Sequence, residues 1–458
     1  MIQTNPLSKS NTVRAYEATG VNPCVFTSTR KDARVYTRGF FGHHAFRVLL
    51  ALCAVSSLTA SSHAESLLKD GDLLGILGDS ITEQKQYSVF MEDYIRMCQP
   101  KNVDVLQFGW SGETAPGFLG RMKLDVLPFK PTIVTTCYGM NDGGYKPIED
   151  ATRERYNKAM TSIVETFKAG GARVIVGSPG AVDTVTYKRP NNPAEVYNTT
   201  LAALRDEAKK VADATGSTFA NVYDPMIDVM AKSKAKFGDN YHVGGGDGVH
   251  PSANGHLVMA YAFLKAMNFD GQIATITVDL AGTKADASAG HVVKGIEGGA
   301  VTIESTRYPF CFGGKPGTPN ATADIPEFLP FNQDLNRFTL VVNNAPAAKY
   351  NVTWGPTTKQ YTAEQLKAGI NLAADFIQNP FSEPFNVVER KIKDKQAFET
   401  KYFKNFVHTL ADARTTIGDD PAFDAAQAVF ARKHAELAKA ARDAFVPVTH
   451  TISILPVQ

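Results

Sequence analysis

The sequence predicts an α/β fold in which a parallel β-sheet is covered by helices on both faces, followed by a small β region and a helical hairpin. Between residues 72 and 267, short apolar runs alternate with amphipathic stretches of helical length. Strands that alternate with helices imply crossover connections and hence a parallel sheet. Beyond residue 270, alternating strand-like stretches separated by Gly and Pro replace that pattern.

The predicted parallel sheet has five strands. Its strand candidates are the apolar runs 73–77, 103–108, 132–137, 173–177 and 219–223. The helical segments between and after them are 86–98, 115–127, 149–169, 193–214 and 252–267. In 149–169 the apolar side chains recur at helical spacing, which supports that assignment. Sites in such sheets form beyond the carboxyl ends of the strands, so the loops that follow the strands are the places to look for function.

The C-terminal part is predicted to contain a β region and two helices. Strand-like alternation marks 272–280, 300–304, 337–342 and 350–354, which we interpret as a small antiparallel region. Helical patterns over 384–413 and 421–445 form a hairpin, and 446–455 returns to the β region as a strand. The hairpin is interpreted as a solvated excursion rather than a membrane-surface helix, because the apolar face of its second helix is mostly Ala. The expected divisions are 1–64 for an N-terminal tail and signal peptide, 65–269 for a catalytic domain, 270–380 for the accessory β region, and 381–458 for the hairpin and terminal strand.

Residues 1–64 resemble a secretory signal preceded by a long tail. Positive charge precedes a short apolar run, 48–58, and Ser62-His63-Ala64 supplies small residues at a cleavage site. We therefore expect export to a periplasmic or extracellular location, with translation starting nearer Gly39; the alternative is a core helix behind a disordered tail. The apolar run is too short for a membrane span, so no stable membrane insertion is expected once the signal is removed.

Composition excludes some partners and leaves others open. The formal net charge of the 458-residue chain is +2, and a nucleic-acid partner normally needs a strong basic excess, so none is expected. After signal removal three cysteines would remain, and an odd number argues against a disulfide framework. Cys137 lies in an apolar run and is interpreted as a buried free thiol. The oligomeric state is left open.

Four polar segments follow predicted strands or precede the last helix. They are Gly78-Asp79-Ser80-Ile81-Thr82, Gly109-Trp110-Ser111-Gly112-Glu113-Thr114, Gly139-Met140-Asn141-Asp142 and Asp247-Gly248-Val249-His250-Pro251. The parallel-sheet prediction brings all four to the same edge. Gly-Asp-Ser and Gly-x-Asn-Asp are common turn sequences when they occur alone, so the prediction depends on the combination and order of the four segments.

Together these segments have the residues that acyl transfer needs. A serine hydroxyl becomes a nucleophile when a base takes its proton, and His250 is the candidate base for Ser80. Asp247, three residues before His250, would fix the tautomer of the ring and stabilise the imidazolium. The oxyanion would receive hydrogen bonds from the backbone N–H groups of Ser80 and Gly112 and from the side-chain amide of Asn141. No cofactor and no metal is required.

These segments resemble the blocks of the SGNH hydrolases, also called the GDSL esterase/lipase superfamily, over about residues 65–270. Ser80 matches the block I serine, Gly112 the block II glycine, Asn141 the block III asparagine, and Asp247 and His250 the Asp-x-x-His of block V. The resemblance implies a flavodoxin-like three-layer α/β/α fold with a five-stranded parallel sheet, and hydrolysis of esters or thioesters. Ile81 stands where the name-giving motif has Leu. The segments 307–312 and 370–372 resemble an uncharacterised bacterial branch with a C-terminal extension.

Several alternatives remain at this stage. Asp79, Asp142, Asp247 and His250 would be the ligands of a metal-dependent phosphoesterase, although no paired-His spacing supports one. A non-catalytic carbohydrate-binding protein is the other class.

Some residues near the four segments are assigned other roles. Trp110 is either a core aromatic or a wall of the substrate site. Glu113 and Arg121 are expected to form a structural contact, and His242 and His256 are assigned structural roles. The remaining histidines, His291, His408, His434 and His450, are expected at the surface.

Two substrate classes are compatible with the sequence. The appended β region and the lack of a long apolar lid segment favour short acyl or O-acetyl groups on a small-molecule or polysaccharide ester. A lysophospholipase or lipase-type acylhydrolase is the alternative.

Overall fold

Five parallel strands form the central sheet in the order β2-β1-β3-β4-β5. The computed structural model describes residues 65–458, and the predicted signal segment lies outside them. The strands are β1 (Leu73–Gly78), β2 (Asp104–Gln107), β3 (Ile133–Cys137), β4 (Arg173–Gly177) and β5 (Thr218–Ala220). The helices of this part are α1 (Ser80–Glu83), α2 (Tyr87–Asp93), α3 (Ala115–Asp125), α4 (Asp150–Ala169), α5 (Ala194–Thr215), α6 (Tyr223–Phe237) and α7 (Ala253–Ala266).

The central sheet is buried on both faces, as the apolar runs predict. Every residue of β3 is buried, and neighbouring residues along it enter different cores. Ile133 packs in a core with α2 and α7, whereas Val134 packs in a second core with α3 and α4. Successive side chains of a strand point to opposite faces, so the sheet separates two helical layers. The predicted three-layer α/β/α fold with a five-stranded parallel sheet is confirmed.

One local assignment was wrong in this part. The fifth strand ends at Ala220, and Tyr223 begins α6, a helix that the sequence analysis did not assign. Pro225 stands in the first turn of that helix, where a missing N–H costs nothing. The helix predicted over 86–98 is present from Tyr87 to Cys98, with α2 continuing directly into a π-helical turn over Tyr94–Cys98.

Two further sheets follow the parallel one. Their strands are β6 (Gln272–Asp279), β7 (Lys284–Ala287), β8 (His291–Glu297), β9 (Ala300–Ser305), β10 (Arg337–Asn343), β11 (Lys349–Trp354), β12 (Thr357–Thr362), β13 (Ile370–Asn371) and β14 (Val448–Pro456). The orders are β13-β10-β6-β7 and β12-β11-β14-β9-β8. The region is not purely antiparallel as predicted, because β10 pairs with β6 in parallel. Residues of both sheets share a hydrophobic core with α2 and α7.

The helical hairpin leaves the β region and returns to it as predicted. Short helices α8 (Phe331–Asp334), α9 (Ala363–Ala368) and α10 (Leu372–Asp375) precede α11 (Ser382–Glu399), a π-helical turn (Thr400–Val407), α12 (His408–Ile417) and α13 (Pro421–Asp443). The chain then re-enters as β14, which pairs antiparallel with both β9 and β11. The first helix is packed more deeply than predicted: α11 buries six side chains, whereas α13 buries Ala441 alone. In the part of the chain that the structure describes, no helix is long and apolar enough to cross a membrane.

His291 and His450 do not lie at the surface as predicted but form a buried hydrogen-bonded chain. The indole N–H of Trp354 donates to His450 Nδ1 at 3.1 Å, so His450 carries its proton on Nε2 and donates to Ser305 Oγ at 3.0 Å. The Ser305 hydroxyl donates to His291 Nδ1 at 2.8 Å, and His291 Nε2 donates to the Ile273 carbonyl at 2.9 Å. Both rings are neutral and fully bonded, so these hydrogen bonds join side chains of β8, β9, β11 and β14 to one another and to a backbone carbonyl of β6. The other two histidines predicted at the surface, His408 and His434, are partly buried and bond to Asp125 and Glu399.

The buried, neutral histidines of this hydrogen-bonded row are expected to make the fold sensitive to acid. Burial, with His291 nearby, lowers the pKa of His450 from 6.5 to about 3. Between these values the unfolded chain binds more protons than the folded one, so the free energy of unfolding falls as the pH drops from 6.5 towards 3, by up to about 1.4 kcal/mol per pH unit for this group. We expect His450→Gln to flatten the dependence of the unfolding free energy on pH in urea titrations between pH 6.5 and 4. An unchanged slope would exclude His450 as its source; the neighbouring His291, whose pKa burial also lowers, provides the comparison variant His291→Gln.

Candidate active site

Ser80 lies at the carboxyl end of the central strand β1. The Asp79 side chain caps α1 by accepting the N–H of Ile81 at 3.0 Å, and Ser80 is the first residue of that helix. An N–H in the first turn of a helix has no partner within the helix, so the Ser80 N–H remains free for a ligand. Gly78 permits this turn, because a Cβ there would collide with the Thr82 side chain and with the Cys137 carbonyl.

Ser80, His250 and Asp247, the predicted catalytic residues, lie in one hydrogen-bonded row. His250 Nε2 is 2.8 Å from Ser80 Oγ, and His250 Nδ1 is 2.7 Å from Asp247 Oδ2. A carboxylate only accepts, so Nδ1 carries the ring proton and Nε2 is left to accept the proton of the serine hydroxyl. This is the tautomer that a general base for Ser80 requires.

Asp247 is held by its own loop. Its Oδ1 accepts the backbone N–H groups of Val249 and His250, both at 2.9 Å, which turns the loop back so that the ring of His250 meets Oδ2. Burial raises the pKa of Asp247, but the hydrogen bonds from the backbone and ring of His250 outweigh it and leave the pKa below its ordinary value. The carboxylate is therefore ionised at neutral pH, opposite the ring that it orients.

The predicted oxyanion donors, Ser80, Gly112 and Asn141, follow the adjacent strands β1, β2 and β3. Their loops are tied together: the Trp110 N–H donates to the Gly78 carbonyl at 3.0 Å, and Asn141 Nδ2 donates to the Glu113 carbonyl at 3.0 Å. Gly112 has φ +76°, a left-handed conformation that favours glycine. A side-chain amide has two N–H groups, so Asn141 retains one beyond its bond to Glu113.

Asp79 and Asp142, considered above as metal ligands, are buried and engaged with the backbone. Asp142 accepts the N–H groups of Ala115 and Gly139 at 2.9 and 3.0 Å, which ties the second loop to the third. Burial raises the pKa of Asp79 to about 7 and that of Asp142 to about 6. Within residues 65–458, no group of three or more His, Cys, Asp or Glu side chains is arranged to hold a metal ion.

The C-terminal hairpin contributes to the site, which the sequence did not predict. Lys404, in the π-helical turn, lies 3.0 Å from both carboxylate oxygens of Glu83, and Glu83 Oε2 accepts the N–H and the hydroxyl of Ser111, each at 2.5 Å. Lys85 donates to Thr400 Oγ1 at 3.2 Å. Glu83 follows Ser80 by three residues and therefore lies on the same face of α1, so its place near Ser80 could have been predicted from the helical spacing. Lys404 and Thr400 lie more than 300 residues further along the chain, and no local sequence pattern indicates that they contact this site.

Trp110 joins the second loop to the hairpin. The guanidinium of Arg121 lies 4.6 Å and the ammonium of Lys404 5.0 Å from the centre of its ring, and His408 meets the ring edge-on at 4.9 Å. The predicted contact between Arg121 and Glu113 is confirmed: it is bidentate, with distances of 2.5 and 2.7 Å. These contacts assign Trp110 to packing between the two elements.

The two histidines assigned structural roles have such contacts. His256 is fully buried, and its Nε2 lies 2.8 Å from Gln84 Oε1. His242 Nδ1 lies 3.1 Å from Ser252 Oγ in the loop before α7.

A pocket of about 380 Å³ opens above the Ser80 hydroxyl. It is lined by Ser80, Glu83, Gln84, Lys85, Ser111, Asp247 and His250, all of them polar or charged. The arrangement offers a nucleophile, a base and hydrogen-bonding side chains at the end of the sheet where ligands bind in this class of fold.

Comparison with known proteins supports the family resemblance. Residues 76–258 match the GDSL-like Lipase/Acylhydrolase family. The acetylxylan esterase of Geobacillus stearothermophilus is 23% identical over 225 residues, which cover 44% of this chain and 95% of that protein. A solved structure of it, at 22% identity and a TM-score of 0.36, covers 44% of this chain and 96% of its own.

The structure of a gut microbial diltiazem-metabolizing enzyme resembles a larger part of the chain. It has a TM-score of 0.68 at 20% identity and covers 85% of this chain and 98% of that one. At this identity the likeness shows the fold alone. Its extent means that the likeness includes the C-terminal sheets and helices as well as the parallel sheet.

Proposed function

We propose that this chain, which contains a GDSL-like lipase/acylhydrolase domain, is a carboxylic ester hydrolase with Ser80 as nucleophile, His250 as general base and Asp247 as the group that orients the base. The single observation that supports this most is the row Ser80 Oγ–His250 Nε2–Asp247, with distances of 2.8 and 2.7 Å. A serine hydroxyl is activated when it is hydrogen-bonded to a base that is itself hydrogen-bonded to an orienting carboxylate, as these distances allow.

The reaction would proceed through an acyl-enzyme. His250 Nε2 takes the proton of Ser80 as Oγ attacks the ester carbonyl, and the resulting oxyanion is held by the N–H groups of Ser80 and Gly112 and by Asn141 Nδ2. Each such donor contributes about 3 kcal/mol. The intermediate then expels the alcohol, which receives the proton from His250. His250 then takes a proton from a water molecule as it attacks the acyl-enzyme, and returns that proton to Ser80 Oγ as the acid is released.

The character of the pocket supports a short acyl group and a hydroxyl-rich alcohol. All seven lining residues are polar or charged, and a long acyl chain would need an apolar channel to leave water. Glu83, Gln84 and Ser111 offer hydrogen bonds to sugar hydroxyls instead. The acetylxylan esterase relative agrees with this direction. We therefore propose O-acetyl or other short-acyl groups on carbohydrate as substrate, acted on after export to a periplasmic or extracellular location.

A series of p-nitrophenyl esters tests the acyl preference. We expect kcat/KM to be highest for acetate and to fall by about tenfold or more from butyrate to octanoate, because no apolar residue among those that the structure describes lines the pocket to shelter the added methylenes from water. Acetylated xylo-oligosaccharides and lysophospholipids, assayed for released acetate and fatty acid, test the alcohol side. Faster turnover of octanoate or of the lysophospholipid would instead make this a lipase-type acylhydrolase.

A further inference from the structure

Tyr145 and Glu113 bond to opposite ends of the Asn141 amide. Asn141 Nδ2 donates to the Glu113 carbonyl at 3.0 Å, and the Tyr145 hydroxyl donates to Asn141 Oδ1 at 3.1 Å. A carbonyl cannot donate, so Glu113 demands the nitrogen on its side. If the amide were flipped, Asn141 Oδ1 would face the Glu113 carbonyl oxygen, with no proton between them. The Tyr145 hydroxyl would then face Nδ2 and lose the oxygen to which it donates.

The ring of Tyr145 is held firmly in the position from which its hydroxyl reaches Asn141. It stacks on Tyr197 with 5.0 Å between ring centres, and the guanidinium of Arg189 lies 4.2 Å from the centre of the Tyr145 ring. The Tyr197 hydroxyl in turn donates to the carbonyl of Met140, next to Asn141. Tyr145 itself has φ +54°, a left-handed conformation that is unfavourable for a bulky side chain. Strain of this kind persists only where surrounding contacts impose it, and it recurs at functional sites.

The hydroxyl also keeps its proton. Burial, with Asp79 nearby, raises the pKa of Tyr145 to about 12. The hydroxyl is therefore a donor over the whole range in which a histidine-dependent esterase works. Donation to Oδ1 polarises the amide and strengthens the second N–H of Nδ2 as a donor.

We propose that Tyr145 is a positioning residue of the esterase reaction: it locks the Asn141 amide so that its free N–H faces the oxyanion formed at Ser80. This inference rests on the proposed function. Because the amide is aligned before substrate arrives, its contribution belongs to the transition state, where a preorganised donor costs no reorientation. Loss of the hydroxyl should thus lower kcat and leave KM nearly unchanged.

Kinetics of Tyr145→Phe, which retains the stacked ring, tests the inference. We expect kcat for p-nitrophenyl acetate to fall about tenfold, with KM within twofold and the melting temperature close to wild type. In an Asn141→Ala background the same substitution should have almost no further effect, because the group through which it acts is gone. A wild-type kcat in Tyr145→Phe, or an equal tenfold loss in the Asn141→Ala background, would overturn the inference.

A second measurement does not depend on activity. In a ¹⁵N-labelled protein the side-chain NH₂ signals of Asn141 are identified by their loss in Asn141→Ala. Tyr145→Phe should shift or broaden that pair, and an unchanged pair would overturn the inference. If wild-type turnover is no faster than that of Ser80→Ala, the proposed function fails instead, and the NMR result still decides the orientation of the amide.

Discussion

Replacing Ser80 by alanine is expected to lower ester hydrolysis by about 10⁴- to 10⁶-fold and to abolish labelling by a fluorophosphonate. The reason is that no other group can form the acyl-enzyme once Oγ is removed, whereas the base and the oxyanion donors remain. The fold should survive, because α1 is capped by Asp79 and not by the serine side chain. Labelling is read by intact-protein mass, turnover with p-nitrophenyl acetate, and folding by the melting temperature.

Ser111 provides a matched control. It lines the same pocket and is more exposed than Ser80, but its hydroxyl donates to the Glu83 carboxylate, whereas that of Ser80 faces His250 Nε2. Ser111→Ala is therefore expected to keep stoichiometric labelling. Labelling that persists in Ser80→Ala and disappears in Ser111→Ala would contradict the proposal, because it would identify Ser111 and not Ser80 as the nucleophile.

The parallel sheet was predictable because its signals are local. Each strand is a short apolar run and each helix has its own periodicity, so β1–β5 and most of the flanking helices follow from windows of ten to twenty residues. The pairing of β10 with β6 is different. Which strands become neighbours, and in which direction, depends on contacts such as that between Phe338 and Ala274, 64 positions apart along the chain. The alternation within each strand is the same for a parallel and an antiparallel partner.

The residues of the site also fall into those that local sequence patterns predict and those that they do not. Ser80, Gly112, Asn141, Asp247 and His250 follow individual strands or precede a helix, and the parallel topology alone brings them together. Lys404 and Thr400 of the hairpin contact Glu83 and Lys85, which line the pocket, and nothing in the hairpin's own sequence indicates these partners. His450 was misassigned because alternation along β14 fixes only which residues share a face, and its partners Trp354 and Ser305 belong to other strands.

Charged side chains of α11 cover the β2 edge of the parallel sheet. β2 is an edge strand, and edge strands carry unpaired backbone groups. Lys395 Nζ donates to the Val105 carbonyl at 2.6 Å, and Glu399 Oε2 accepts the Gln107 N–H at 3.0 Å. Lys395 also lies 2.9 Å from Glu92 and 3.0 Å from Glu399, and all three side chains are at most 2% exposed. The hairpin thus covers the edge and holds the π-helical turn, with Lys404, against the site.

Lys395→Met is expected to lower the free energy of unfolding by about 3–5 kcal/mol, because it leaves two buried carboxylates without their shared cation. Urea titration measures the loss. Lys393→Met is the matched control on the same helix: its ammonium pairs with Glu389 at 3.1 Å but is half exposed, and exposed pairs contribute about 0–1 kcal/mol. Equal losses in the two variants would mean that Lys395 does not hold the hairpin to the sheet. If it does, Lys395→Met should also make α11 and the π-helical turn exchange amide hydrogens faster than the central strands β1 and β3, since these helices would then open separately from the parallel sheet.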